Sequence, residues 1–99
     1  MTIFELAKHY ATPWTVLEER KLTDEDKAVV ASAEVVKGDY GHSVCFHMTY
    51  GGRVFFSIDE DNSSPYSVGD KVNVDNITYK KLEKKEPDGS VTTCEKVII

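Results

Sequence analysis

Residues 43–58, SVCFHMTYGGRVFFSI, alternate apolar and polar side chains on both sides of a glycine pair. Successive side chains of a strand point to opposite faces, so this period of two specifies a pair of half-buried strands. Val44, Phe46 and Met48 share one face of the first strand, and Cys45, His47 and Thr49 share the other. In the second strand Val54, Phe56 and Ile58 lie opposite Arg53, Phe55 and Ser57. A two-residue turn at Gly51-Gly52 would set each apolar face against a polar one, which is costly wherever one side is buried. A three-residue loop, Tyr50-Gly51-Gly52, restores the match and offers a glycine for the left-handed position. That loop pairs Met48 with Val54 and Phe46 with Phe56.

Further strands are expected on either side. In AVVASAEVVK, Val29, Ala31, Ala33 and Val35 take one face and Ser32 and Glu34 the other. KGDYGH reads as a loop, and EPDGS as a reverse turn. VGDKVNVD reads as a strand entry, ITYKKLEKK continues as extended chain after a break near Asp75-Asn76, and VTTCEKVII is a last strand. Upstream, Thr2 and Glu5 fit a capping box, with Ile3, Leu6, Ala7 and Tyr10 forming an apolar stripe. TPWTVLEERKL is readable as helix or strand, and LTDEDK as a polar turn or short capped helix. The expected fold is mainly β in a single domain: a helical N-terminal segment, 1–27, followed by a small five-stranded antiparallel barrel, 28–99.

The composition narrows the function classes. Ninety-nine residues supply one modest core. A net charge of −5 argues against indiscriminate polyanion binding, yet KKLEKK holds four lysines against one glutamate, so a local basic strip is allowed. No apolar run is long enough to span a bilayer, so no membrane association is expected. An N-terminus with Glu5 and Lys8 inside its apolar stretch is a poor signal peptide, which makes the cytoplasm the expected compartment. Cys45 and Cys94 are too few for a disulfide framework and too far apart for a Cys-x-x-Cys site, so both are expected as thiols. His9, His42 and His47 lack metal-ligand spacing. Asp59, Asp61 and Ser63 have the spacing of a calcium loop, but no glycine stands at the loop's sharp turn, where Ser64 and Pro65 follow, so no metal is expected. No nucleophile elbow, phosphate loop or paired-carboxylate pattern is present, and neither an enzyme nor a cofactor is expected.

The order of a long strand, a loop, a hairpin, a gap and two strands joined by a turn resembles an OB-fold (oligonucleotide/oligosaccharide-binding). The phrase SVGDKVNVD is similar to strand entries of such barrels, and Asp26–Lys85 resembles small single-strand-binding proteins of bacteria and phages. The resemblance implies a face built from the second and third strands and flanked by two loops. Carried onto this sequence, it gives Lys37, Tyr40 and His42 in one loop, His47, Arg53 and Phe55 on the hairpin, and Lys84 and Lys85 in the other loop. Aromatic rings stack bases and cations track phosphates, so the expected partner is single-stranded nucleic acid. Two departures stand beside this. No helix is expected between the third and fourth strands, and the overall charge is acidic. A plainer alternative packs Phe55 beneath the N-terminal helix and leaves His47 as an ordinary surface residue. A different class, a protein-interaction module, would use the acidic surface and that helix. An open barrel would also leave an edge strand able to pair with a second copy.

Overall fold

The computed structural model describes residues 14–39 and 41–99. Strand β1 (Thr15–Lys21) leads to a five-residue helix, α1 (Asp24–Ala28). Four strands make up most of the remainder: β2 (Val30–Gly38), β3 (Gly41–Met48), β4 (Arg53–Ile58) and, after a 3-10 turn at Val74–Asn76, β5 (Thr78–Lys85). β6 (Val91–Ile98) closes the chain. All six join one sheet in the order β1-β5-β6-β4-β3-β2.

The sheet is mixed, and it is not closed into a barrel. β4 and β6 run parallel and share only the pairs Ser57/Lys96 and Ile58/Val97. The two edges that closure would join are each taken by another segment. β1 pairs along the outer edge of β5. Residues 69–72 lie along the outer edge of β2, where the Val35 amide donates to the Asp70 carbonyl and the Gly69 and Val72 amides donate to Val35 and Ala33. The expected entry strand at VGDKV is therefore a short edge ribbon, and β5 starts only after the 3-10 turn.

The expected helical segment 1–27 is corrected from Thr15 onward. TVLEERK is a strand, and the helical part is confined to DEDKA. Thr23 caps this helix in a reciprocal box: its hydroxyl accepts from the Asp26 amide and the Asp26 carboxylate accepts from the Thr23 amide. The helix expected over Ile3–Tyr10 lies outside the described residues.

The hairpin keeps the expected faces. Val44, Phe46 and Ile58 are buried, with Met48 and Phe56 packed against the same cluster. The register differs by two residues, giving Phe46 opposite Val54 and Val44 opposite Phe56. A shift of two slides the strands without turning either over. The loop is Thr49-Tyr50-Gly51, closed by the Met48 amide donating to the Gly52 carbonyl. Gly51 and Gly52 both have positive φ, +92° and +82°, so the turn uses both glycines where the expected loop needed one. In β2 a bulge between Val30 and Ser32 breaks the expected alternation. Val30, Ala33 and Val35 face the core, while Val29 and Ala31 do not.

β2 and β3 join at Asp39-Tyr40, with Gly38 opposite Gly41. A Cβ on Gly38 would meet the Gly41 carbonyl oxygen at 2.9 Å, closer than unbonded atoms tolerate. Gly38→Ala is therefore expected to lower stability by about 1–3 kcal/mol through this overpacking. A lower urea midpoint with an unchanged slope is the signature, and an unshifted midpoint contradicts it.

Candidate nucleic-acid interface

Strand alternation turns Cys45, His47, Arg53 and Phe55 to the side away from the core. Phe55 lies directly opposite Cys45, and His47 opposite Arg53. A Tyr50-Gly51-Gly52 loop would have put His47 opposite Phe55; in the observed register the three residues still share one patch. Phe55 is 55% exposed and is not packed beneath any described element. The hairpin tip adds Tyr50, 73% exposed.

The same side continues across the sheet. Ser57 pairs with Lys96, Lys96 with Lys80, and Thr92 with Lys84, so Lys84 faces the same way as Arg53 and Phe55. Its ammonium sits 5.9 Å above the ring of Trp14, which is itself exposed. Trp14 and Tyr50 were absent from the sequence-based site. Reading TPWTVLEERKL as a strand would have exposed Trp14 and Val16 as a same-face pair.

The remaining candidates are placed elsewhere. Lys37 and His42 are paired residues of β2 and β3, not members of a loop, and alternation directs them to the core side. His42 is tied up there: its ring lies edge-on to Tyr66 at 5.3 Å, and its Nδ1 is 3.2 Å from Glu60 Oε1. The Tyr66 hydroxyl donates to the same carboxylate at 2.9 Å. Burial and that carboxylate push the Tyr66 hydroxyl up to about 12, while Tyr66 and His42 hold Glu60 below its ordinary value. Lys85 lies on β5, opposite Val91, on the face opposite Lys84. Tyr40 lies outside the described residues.

The lysines of KKLEKK thus do not form one strip. β5 sends Lys80 and Lys84 to one side and Lys81 and Lys85 to the other. Lys80 is further committed to Asp59, with Nζ 3.1 Å from Oδ2. On the core side, Arg20 is paired with Glu18 and Asp26, and Lys27 with Asp75. Among the described residues, neither Arg53 nor Lys84 takes part in an ion pair. Unpaired positive charge is present on both faces, since Lys37, Lys81 and Lys85 on the core side also take part in no ion pair among the described residues; Arg53 and Lys84 are among those on the side that carries Phe55 and Trp14.

Two concavities flank this face without forming it. A polar cleft of about 500 Å³ lies between the β2–β3 turn and residues 58–61, where Asp39, Asp59, Glu60 and Asp61 outnumber Lys96. An apolar groove of about 320 Å³ opens on the core side, lined by Met48, Val54 and Phe56 and rimmed by Arg20 and Asp26. No protein-family model, curated protein or solved structure matches the chain.

Proposed function

We propose that the protein binds single-stranded nucleic acid without catalysis, through the side of the sheet bearing His47, Arg53, Phe55, Lys84 and Trp14. The observation that carries the reading is Phe55: a phenyl ring more than half exposed in mid-strand, beside an arginine with no ion-pair partner among the described residues. A flat ring offers stacking to any base, and a neighbouring guanidinium offers a phosphate contact. The same reading treats β2–β6 as an OB-like barrel held open. The meander β2-β3-β4, with β6 inserted between β4 and β5, supports it, because such barrels are partly open and Greek-key connected.

The test is fluorescence anisotropy with labelled oligothymidine. Phe55→Ala is expected to weaken binding roughly 5- to 150-fold, the range of one lost base stack. Neutralising two phosphates through Arg53 and Lys84 gives a salt slope of about −1.4 on a double-logarithmic plot. Arg53→Gln should halve that slope. Absence of binding at low salt would overturn the reading.

A second reading, a protein-interaction module, is favoured by β1. Every residue from Thr15 to Lys21 is exposed, Val16 and Leu17 included, and only one of the strand's edges pairs with β5. Strand addition at such an edge is a common recognition mode. It predicts partner capture that is lost with Leu17→Lys and is insensitive to Phe55→Ala.

A further inference from the structure

Glu34 on β2 lies directly opposite Cys45 on β3, and His47 follows two residues along the same face. Direct and diagonal cross-strand neighbours are close enough for long side chains to converge. Here they do. His47 Nε2 is 2.9 Å from Glu34 Oε1 and 3.9 Å from Cys45 Sγ, and the three donor atoms all lie within 4.8 Å of one another. Among the described residues this is the one place where three such groups meet.

We propose that Glu34, Cys45 and His47 form a binding site for a divalent transition-metal ion, with zinc as the best chemical match. A thiolate, an imidazole and a carboxylate are all zinc ligands, and bond lengths of about 2.0–2.3 Å in a tetrahedron separate ligand atoms by about 3.2–3.7 Å. The distances of 2.9 and 3.9 Å fall either side of that range and the third separation is within 4.8 Å, so side-chain rotations that close the triangle by about an ångström complete the set. Softness favours zinc over calcium or magnesium, which take oxygen ligands. An ion pair alone accounts for His47 and Glu34. It does not account for a thiol, 1% exposed, lying 3.9 Å from the same ring nitrogen on the same face of the sheet. Cys45 is the buried member of the set, and His47 and Glu34 are half-exposed. Binding replaces the thiol proton, which leaves to solvent. The sequence offers no metal-ligand spacing at His47, because the set is completed by Glu34 from the neighbouring strand.

The site does not depend on the nucleic-acid reading, and its test contains no oligonucleotide. Cobalt(II) added to the reduced full chain is expected to give the near-ultraviolet thiolate-to-metal absorption of a cobalt–sulfur bond, which zinc then bleaches. Cys45→Ser should abolish the band, while Cys94→Ser should leave it unchanged. His47→Ala and Glu34→Gln, both at half-exposed positions, should weaken cobalt affinity by more than the roughly 10- to 100-fold that follows loss of a ligand's supporting partner. Zinc should raise the melting temperature of the unaltered protein and not that of folded His47→Ala, checked by circular dichroism. No band at excess cobalt, or a band indifferent to Cys45→Ser and His47→Ala, overturns the proposal.

Discussion

Asp59→Ala is expected to destabilise the fold by about 3–5 kcal/mol, the cost of leaving one half of a buried ion pair without its partner. The Asp59 and Lys80 side chains are only 10% and 15% exposed, so neither charge is restored to bulk water when the other is removed. Asp59 also accepts a hydrogen bond from Asn62 at 2.9 Å, and its amide donates to the Val97 carbonyl. The residue therefore links the end of β4 to both β5 and β6. Burial acts to raise its carboxyl, but Asn62 and Lys80 outweigh that and hold it below the ordinary aspartate value. A carboxyl whose folded value is depressed stabilises the fold above its unfolded value, about 3.9, and loses that contribution as pH falls through the lower folded one. Urea midpoints for the unaltered protein should thus decline as pH drops below about 4, and Asp59→Asn should flatten part of that decline. Combining Asp59→Ala with Lys80→Met should recover stability, because the stranded ammonium is gone. Equal midpoints for Asp59→Ala and the unaltered protein at pH 7 would show the pair to be fully solvated.

Phe46→Ala should cost about 3–5 kcal/mol, whereas Phe55→Ala should change stability by no more than about 0.5 kcal/mol. The two phenylalanines occupy strands of one hairpin and differ in face. Phe46 is buried and meets Phe56 edge-on at 5.6 Å, and Phe56 in turn meets Tyr79 at 6.2 Å. Arg20 covers Tyr79, its guanidinium carbon 5.1 Å from the ring centroid. Removing Phe46 leaves a void at the head of an aromatic row that crosses from β3 to β5. Removing Phe55 exposes nothing that was not already wet. Paired chemical denaturation curves measure the contrast, and comparable losses in both would reverse the assignment of faces.

The hairpin was the most legible part of the sequence because period two fixes a strand's faces without reference to neighbours. Val44, Phe46, Val54, Phe56 and Ile58 declared their side by alternation alone. The exact register was less accessible, since slides of two residues preserve that alternation and only turn geometry separates them. β1 was obscured for a different reason. All its residues are exposed, so it has no inward stripe, and its strand character comes from pairing with β5, 57 to 68 residues away in sequence (Lys21 with Thr78, Thr15 with Glu83). Barrel closure depended on the same long-range competition for edges and was equally hidden. For the candidate face, His47, Arg53 and Phe55 followed from the hairpin pattern. Lys37 and His42 were assigned to a loop because glycines and an aspartate read as turn residues, yet both strands run up to Gly38 and Gly41. Trp14 required β1, and Lys84 required the parallel contact of β4 with β6, neither of which local periodicity encodes.

That parallel contact also sets how the two halves of the sheet meet. Two rungs, at Ser57/Lys96 and Ile58/Val97, join a three-stranded half ending in β2 to a three-stranded half ending in β1. Each half is laced internally by longer antiparallel ladders, and the junction is reinforced by the Asp59 amide on Val97, the Asp59–Lys80 pair and a core shared by Val44, Ile58, Ile77 and Val97. Phe55 and His47 ride on one half, Trp14 and Lys84 on the other. The angle at which the halves meet therefore sets how far Phe55 and His47 stand from Trp14 and Lys84.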